Sequence, residues 1–465
     1  MRTHLRLRML PLALAAVILA GCAVGPPYQL PATPAPAAFK QAEGWVPAAP
    51  ADTLERGPWW TLFDDPVLNS LVEQVEVSNQ NVAAAVAAYA QARAQVAGQR
   101  ASLFPSVDLG LSAERSGGRD TAESSRYRLN IGASWEPDIW GRLRSGVSAA
   151  QAGARASAAD LAGARLSAQG ELAANYIALR LADTQRDLLE RTIEGYTRVA
   201  TIAGNRYEAG IVGKSDVLQA QTQLANAQAE RLALTRQRAQ FEHAIAILLG
   251  KAPAEFSLAA APWNAAVPEI PAVVPSTLLQ RRPDIASAER RVAAANAQIG
   301  IARSAYYPNI GLSGSIGSGG SKIGDLLSAS SLLWSFGTSV AQSIFNAGAT
   351  RASVAGAEAA HQVAVARYRQ TVLDAFGDVE NALVAARVLA QQQVLRRQAS
   401  EAADQVEQQM LNRYKAGQVG YTEVVQAQAT ALSARRALVQ VQADRQTTAL
   451  ALIQSLGGGW QASLE

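Results

Sequence analysis

Bond-making chemistry needs residues that this chain scarcely has. Its 465 residues include one Cys and three His, so neither an intramolecular disulfide nor a cysteine-based metal cluster can form. No GxSxG, HExxH, CxxC or Walker pattern occurs, and Gly317-Ser318-Gly319-Gly320 reads as a flexible hairpin loop between two strands, not as a phosphate cradle. His243 and His361 stand alone on helical stretches and read as surface or interface residues, while His4 falls in a leader segment. Lys plus Arg (42) nearly balances Asp plus Glu (38), which excludes a strongly basic nucleic-acid binder. Hydrophobic residues make up 49% but aromatics only 6% and charges 17%, which describes an Ala-rich interior of small side chains and excludes a disordered chain. No catalytic set, metal site or cofactor site emerges. The acids that do stand out are Asp216 and Glu423, placed identically in two similar segments.

The one Cys has a context of its own. Arg2, Arg6 and Arg8 form a positive start, Leu10 to Ala20 is an apolar run short of a membrane-spanning helix, and Leu19-Ala20-Gly21-Cys22 follows. This is a signal peptide over 1–21 whose end is similar to a lipobox, where cleavage before the Cys follows attachment of diacylglycerol to its thiol. Cys22 is the expected lipidation site and mature N-terminus, carrying diacylglycerol and an N-acyl chain. Ala23, not Asp, follows it, which in lipoproteins fits delivery to the outer membrane. Loss of the leader removes three Arg and no acid, so net charge falls from +4 to +1. The lipidated segment 22–65 is rich in Pro, which removes backbone donors and favours extended chain.

The remainder is a tandem duplication. Asn205-Arg206-Tyr207-Glu208-Ala209-Gly210-Ile211-Val212-Gly213 recurs 207 residues later as Asn412-Arg413-Tyr414-Lys415-Ala416-Gly417-Gln418-Val419-Gly420. Gln219-Ala220-Gln221 matches Gln426-Ala427-Gln428, and Ala94-Gln95, Arg100 and Pro105 match Ala297-Gln298, Arg303 and Pro308. The expected layout is a first repeat over 66–250, an equatorial connector over 251–283, a second repeat over 284–457 and a tail over 458–465.

Within each repeat a helical stretch (about 66–103 and 284–305) ends at Phe104-Pro105 or Tyr307-Pro308, since proline cannot continue the ladder. Two strands follow. Val107, Leu109 and Leu111 alternate with Asp108, Gly110 and Ser112; Leu129, Ile131, Ala133 and Trp135 alternate with polar residues or Gly. In the second repeat Ile310, Leu312 and Ile316, then Trp334, Phe336, Thr338 and Val340, do the same. Such alternation also fits the half-buried sheet of a soluble protein. Strands of this length with an apolar outside and a polar inside suit a transmembrane barrel, but four cannot close a water-filled tube, so several chains would have to share one.

From about 141 to 209, and again from 348 to 416, there is no Pro and apolar residues recur at three and four spacing. Helices of that length reach on the order of 100 Å, more than a compact domain holds. Gly210 and Gly417 supply C-caps, and returning helices run to Leu249-Gly250 and Leu456-Gly457, giving two antiparallel helical hairpins. Asp216 and Glu423 open the returning helices, where an acid also simply suits the helix dipole. Arg206, Tyr207, Arg413 and Tyr414 precede the turns, positioned for contacts between hairpins or for ordinary hairpin packing.

Three segments now carry a family resemblance: Trp59-Trp60-x-x-Phe63-x-Asp65-Pro66-x-Leu68-x-x-Leu71; Arg281-Arg282-Pro283-Asp284-Ile285 with Ala288-Glu289; and Ala294-Ala295-Asn296-Ala297. Together with the repeat they closely resemble the outer-membrane factors of bacterial efflux systems, the TolC-like channels, in their lipoprotein branch. The resemblance runs from Cys22 to Trp460. It implies a mixed membrane fold, a homotrimer whose twelve strands form one transmembrane β-barrel continuous with a long periplasmic α-helical barrel. It implies as partners a periplasmic membrane-fusion adaptor, an inner-membrane pump of the RND type and outer-membrane lipid, with no nucleic acid. The activity implied is passive conduction of drugs or other small toxic compounds, not catalysis; a type I secretion duct and a poreless periplasmic scaffold are the rival readings. Similar channels have an acidic periplasmic constriction: Asp216 matches the acid of the first hairpin, whereas a commonly acidic position of the second is Gln426. The resemblance also implies that the turns bearing Gly210, Gly213, Gly417 and Gly420 meet the adaptor.

Overall fold

The computed structural model describes residues 24–32, 58–119, 121–268 and 282–458. Cys22, the leader, most of the Pro-rich segment, residues 269–281 of the connector and nearly all of the tail lie outside the described residues. The chain divides into two compact units, and each draws on both sequence repeats. Unit 1 holds 1–33, 87–158 and 287–370; unit 2 holds 34–86, 159–286 and 371–465.

The duplication appears as equal element lengths. After α1 (Pro66–Ser78) and α2 (Gln80–Ala101) come β1 (Ser106–Gly118), β2 (Thr121–Trp135), α3 (Arg142–Glu208) and α4 (Lys214–Leu248). The second series is α5 (Pro283–Ser304), β3 (Asn309–Gly320), β4 (Leu332–Ala341), α6 (Ala349–Lys415) and α7 (Tyr421–Ser455). Helices α2 and α5 have 22 residues each, α3 and α6 have 67, and α4 and α7 have 35. One contact repeats as well: Asn79 Nδ2 donates to Leu248 O at 2.7 Å, and Arg282 Nη1 donates to Ser455 O at 3.2 Å.

In unit 1 the four strands form one antiparallel sheet in the order β1-β2-β3-β4. The register aligns the apolar positions into rows across the strands, Leu109 opposite Ile131, Ile131 opposite Ile316 and Ile316 opposite Trp334. A neighbouring row runs Val107, Ala133, Gly314, Phe336. Side chains alternate along a strand, so the other face carries Asn130, Gly132, Ser134, Ser313, Ser315, Ser335 and Ser339. Leu109, Leu111, Trp334, Phe336 and Val340 are all exposed. Among the described residues, strands β1 and β4 are each paired on one side only.

Two expectations are corrected here. Gly317 to Gly320 is not a hairpin loop: it lies in β3, paired with Tyr127–Asn130, because β2 extends back to Thr121 and supplies a ladder. Glycine belongs there for packing, since a Cβ on Gly317 would stand 2.4 Å from Leu129 O. The helix expected over 66–103 is two helices. Asn79 breaks it at φ −70°, ψ 124°, its Oδ1 accepting from Asn81 N (2.9 Å) and Val82 N (3.1 Å), so the side chain starts a new helix.

Still in unit 1, the strand ends are tied to helix starts. Trp140 stacks on Tyr307 at 4.8 Å and its Nε1 donates to Pro308 O at 2.7 Å. Asp138 accepts from Leu143 N and Arg144 N at 2.9 and 2.8 Å, capping α3. The segment 24–32 lies along α5: Val24 N donates to Trp140 O at 3.4 Å, Asn296 Nδ2 to Pro26 O at 3.0 Å and Tyr28 OH to Glu289 Oε1 at 2.5 Å. Gly25 and Gly300 meet so closely that a Cβ on either would come within about 3 Å of the other's Cα.

Unit 2 buries the Trp59, Trp60 and Phe63 cluster with Leu68, Leu71, Val72 and Val75. Asp65 caps α1 by accepting from Val67 N at 2.9 Å and Leu68 N at 3.1 Å, and its Oδ2 accepts from Tyr176 OH at 2.7 Å. The connector is docked by charge. Buried Arg180 donates to Ala259 O at 2.9 Å and pairs with Asp183 at 3.3 Å, while Arg238 pairs with Asp183 at 2.6 Å and Glu242 at 3.2 Å. Glu242 then accepts from Leu258 N at 2.6 Å. Among the described residues no helix is long and apolar enough to cross a membrane.

Candidate functional site

Both hairpins of unit 2 turn by the same motif. Gly210 N donates to Tyr207 O at 2.9 Å and Ile211 N to Arg206 O at 2.8 Å; Gly417 N donates to Tyr414 O and Gln418 N to Arg413 O, both at 2.9 Å. This paired closure needs a left-handed residue at the helix end, and Gly210 and Gly417 both have φ +71°. Space around them is open: a Cβ added at either would meet nothing within 4 Å. Gly213 and Gly420 differ in role. They are the N-caps of α4 and α7, extended at φ −76° and −75°, and a Cβ on Gly420 would lie 3.0 Å from Glu423 Oε2. All four glycines are exposed.

The structure joins the hairpins through one arginine. Arg206 Nη1 donates to Tyr414 O at 3.2 Å, and its guanidinium carbon lies 4.9 Å from the centre of the Tyr414 ring. A cation over an aromatic face is held by the ring quadrupole, here with the ring out of water. Tyr414 leans on Tyr421 at 5.8 Å between ring centres. Both are buried in a cluster with Val199, Ala203, Ala220, Val424 and Val425, against which Val217, Leu411 and Val419 pack. Helices α3 and α4 thus meet α6 and α7 in one small core just behind the turns.

The remaining predicted tip residues are not drawn into that core. Tyr207, Arg413, Glu423 and Gln426 are exposed, and neither Arg413 nor Glu423 forms an ion pair among the described residues. Asp216 is half-buried, and both acids lie in a first helical turn, where the dipole favours them. Asp216 is within electrostatic reach of Tyr421: burial first, then Tyr414, Tyr196 and Asp216 push the Tyr421 hydroxyl up to about 12. Cys22 lies outside the described residues.

Three residues here were not anticipated from sequence. Tyr421 has no aromatic counterpart, since Lys214 holds the matching place in the first repeat, so the repeat pattern passed over it. Arg436 pairs with Glu230 across α7 and α4. Arg435 pairs with Asp404 at 2.8 Å and Glu407 at 2.6 Å, tying α7 to α6. These charges sit on helix faces whose Ala-rich surroundings gave them the look of solvated residues. Two Arg side by side opposite acids was the available signal.

Comparison with known proteins extends over nearly the whole chain. A family model described as outer membrane efflux protein matches residues 71–251 and 274–458. The chain is 32% identical to the probable efflux pump outer membrane protein TtgC of Pseudomonas putida, over 97% of this chain and 96% of that protein. It is 30% identical to the cation efflux system protein CusC of Escherichia coli, covering 98% of this chain and 99% of the relative. Among solved structures it is similar to the outer-membrane channel OprN, with a TM-score of 0.87 at 32% identity, over 95% of this chain and all of that one. The open-state MtrE channel of Neisseria gonorrhoeae superimposes with a TM-score of 0.84 at 29% identity, covering 95% of this chain and 99% of that one. The turns, sheet and repeat described above are therefore those of a known lineage: the chain belongs to the outer membrane efflux protein family.

Proposed function

We propose that this protein is the outer-membrane channel of a tripartite efflux pump, conducting small toxic compounds passively from a periplasmic adaptor and an inner-membrane RND pump to the exterior. The observation that carries the reading is the sheet. Its apolar rows are exposed along one face, its other face is mostly Ser, Gly and Asn with Asp108, Glu114, Arg126, Arg128 and Leu333 among them, and among the described residues both edge strands are open. In lipid an unpaired strand edge costs several kcal/mol per polar group, so the edges must close on further strands. Three copies would supply twelve, within the even-numbered range of outer-membrane barrels and wide enough for a channel. Exposed Phe104, Tyr306 and Phe345 at the strand ends, beside the stacked Trp140 and Tyr307, suit the aromatic belt of a membrane interface.

A lipid on Cys22 fits the same placement. Val24 is bonded to the carbonyl of Trp140 at that junction, and two residues of chain reach less than about 8 Å. The protein does no bond-making chemistry in this reading, and the driving force comes from its partner. Relatives are named for toluene, solvents, antibiotics and cations, so the cargo is set outside the channel.

Planar-bilayer recording tests the reading. Purified protein should give discrete open-pore conductance steps. A detergent-free soluble protein that never yields a step would instead be a scaffold whose sheet is a cap.

A further inference from the structure

The charges on the polar face of the sheet are unevenly placed. Residues opposite one another share a face, and the register sets Asp108 opposite Gly132, Ser112 opposite Arg128 and Glu114 opposite Arg126. Strands β3 and β4 bring no charge to this face. Asp108 lies near the strand ends that join the helices, whereas Glu114, Arg126 and Arg128 lie toward the β1–β2 turn. Glu114 offsets Arg126, but Arg128 stands between Ser112 and Gly319, both small and neutral. Arg126 and Arg128 are exposed, and neither forms an ion pair or side-chain hydrogen bond among the described residues. On the opposite face Arg115 is tied to Glu123. Tyr127, between the two free arginines, continues the apolar row of Leu129 on that opposite face, so both guanidiniums belong to the rim of the apolar band.

We propose that Arg128, backed by Arg126, forms an anion-binding ring in the outer throat of the barrel, which takes the carboxylate, sulfonate or phosphate group of departing cargo. The inference rests on the trimeric barrel above and adds a charge preference to it. Two Arg against Glu114 leave each copy at +1 on this level, so three copies set +3 around one opening. Twelve strands about 4.8 Å apart and tilted by about 40° enclose a ring on the order of 24 Å across. Arginine side chains extend inward from that wall, so the remaining gap is comparable to the Debye length, about 10 Å at 0.1 M salt, and the three fields overlap. The low-dielectric surroundings focus them further. A guanidinium also meets an oxyanion through two parallel N–H donors, which a point charge cannot match. The pump chooses what enters the duct; the ring favours anions among what leaves.

Planar bilayers holding the full-length protein test this, with tripolyphosphate added on the side of the β1–β2 turns. In dilute KCl, about 0.1 M, the parent should be blocked reversibly, and at about 1 M, where the Debye length is about 3 Å, the block should be relieved. Arg128→Gln should raise the half-blocking concentration by about tenfold or more, as expected for loss of a charged hydrogen-bonding partner from each copy. Arg128→Lys keeps the charge and loses the fork, so it should fall between the two. Asn130→Ser, one step along the same face, should match the parent. In a KCl gradient the zero-current potential should move toward the cation side in Arg128→Gln and stay in place in Asn130→Ser. Normal conductance steps with no block in the parent, or with equal block in Arg128→Gln, would overturn the ring while leaving the barrel intact. Should Arg128→Gln fail to reach the membrane, the parent decides: a block that persists in concentrated KCl overturns the ring. A parent without conductance steps would overturn the barrel reading itself, and the ring with it.

Discussion

Tyr421 is the residue whose burial has a direct thermodynamic cost at high pH. Its phenol is held neutral in the fold, with the pKa raised to about 12, burial being the largest cause. In the unfolded chain the same group ionises near 10. The neutral form is thus favoured by folding: the contribution is complete below pH 10 and is lost as pH rises through 12. Tyr176, also pushed up to about 12 chiefly by burial, acts in the same direction. Tyr421→Phe should shrink the loss of thermal stability between these two pH values, read by circular dichroism against the parent; an unchanged loss would assign it to other groups. At this scale the sequence made Arg206, Tyr207, Arg413 and Tyr414 legible as residues that link hairpins or simply pack them, without pairing any two, and Asp216 and Glu423 legible as matched acids. It did not distinguish Arg206 from Arg413. Both stand in an Asn-Arg-Tyr segment two residues before Ala-Gly, and the three-dimensional neighbour, Tyr414 in one case and open surface in the other, separates them.

At the scale of elements, the alternation of Leu109, Ile131, Ile316 and Trp334 was readable residue by residue, and the register then put these four in one row. The ends of the strands were harder to see. A run such as Gly317 to Gly320 has no side-chain pattern, and its place in the ladder is set by the partner strand. Helix α1 ended where Asn79 found Leu248 O, a partner 169 positions away that no local rule could indicate. The sheet's two faces make opposite demands. Ile316→Lys should block stable membrane insertion or destabilise it by about 2–4 kcal/mol, as for a cation at mid-depth on a lipid face, whereas adjacent Ser315→Lys should insert normally and alter ion selectivity. Heat-modifiability on gels and single-channel reversal potentials measure the two effects. Equal tolerance at both positions would contradict a lipid-facing assignment of the apolar rows.

For the whole molecule and its partners, the glycine turns offer a clean probe. Gly210 and Gly417 need a left-handed backbone, which Asn also tolerates, and their surroundings within the chain are open. Gly210→Asn and Gly417→Asn should therefore leave trimer yield unchanged while lowering drug resistance in cells that carry the adaptor and pump, because the added side chain obstructs only an incoming partner. Full resistance in both variants would remove the turns from the docking surface. The tandem duplication was legible at this scale because motifs such as Asn-Arg-Tyr survive in both copies; the mixing of both copies into each compact unit was not, since it depends on contacts between helices tens of residues from any shared motif.

The equality of helix lengths has a consequence for what change the architecture admits. Helices α3 and α6 have 67 residues each, and α4 and α7 have 35. Inserting two heptads into a single arm would advance that turn by about 20 Å beyond its twin. Arg206 would then slide past Tyr414, and the two turns would no longer lie level. Growth or shrinkage of such a duct is viable only when ascending and descending arms of both copies change by the same step, so its reach is inherited as a single quantity written four times.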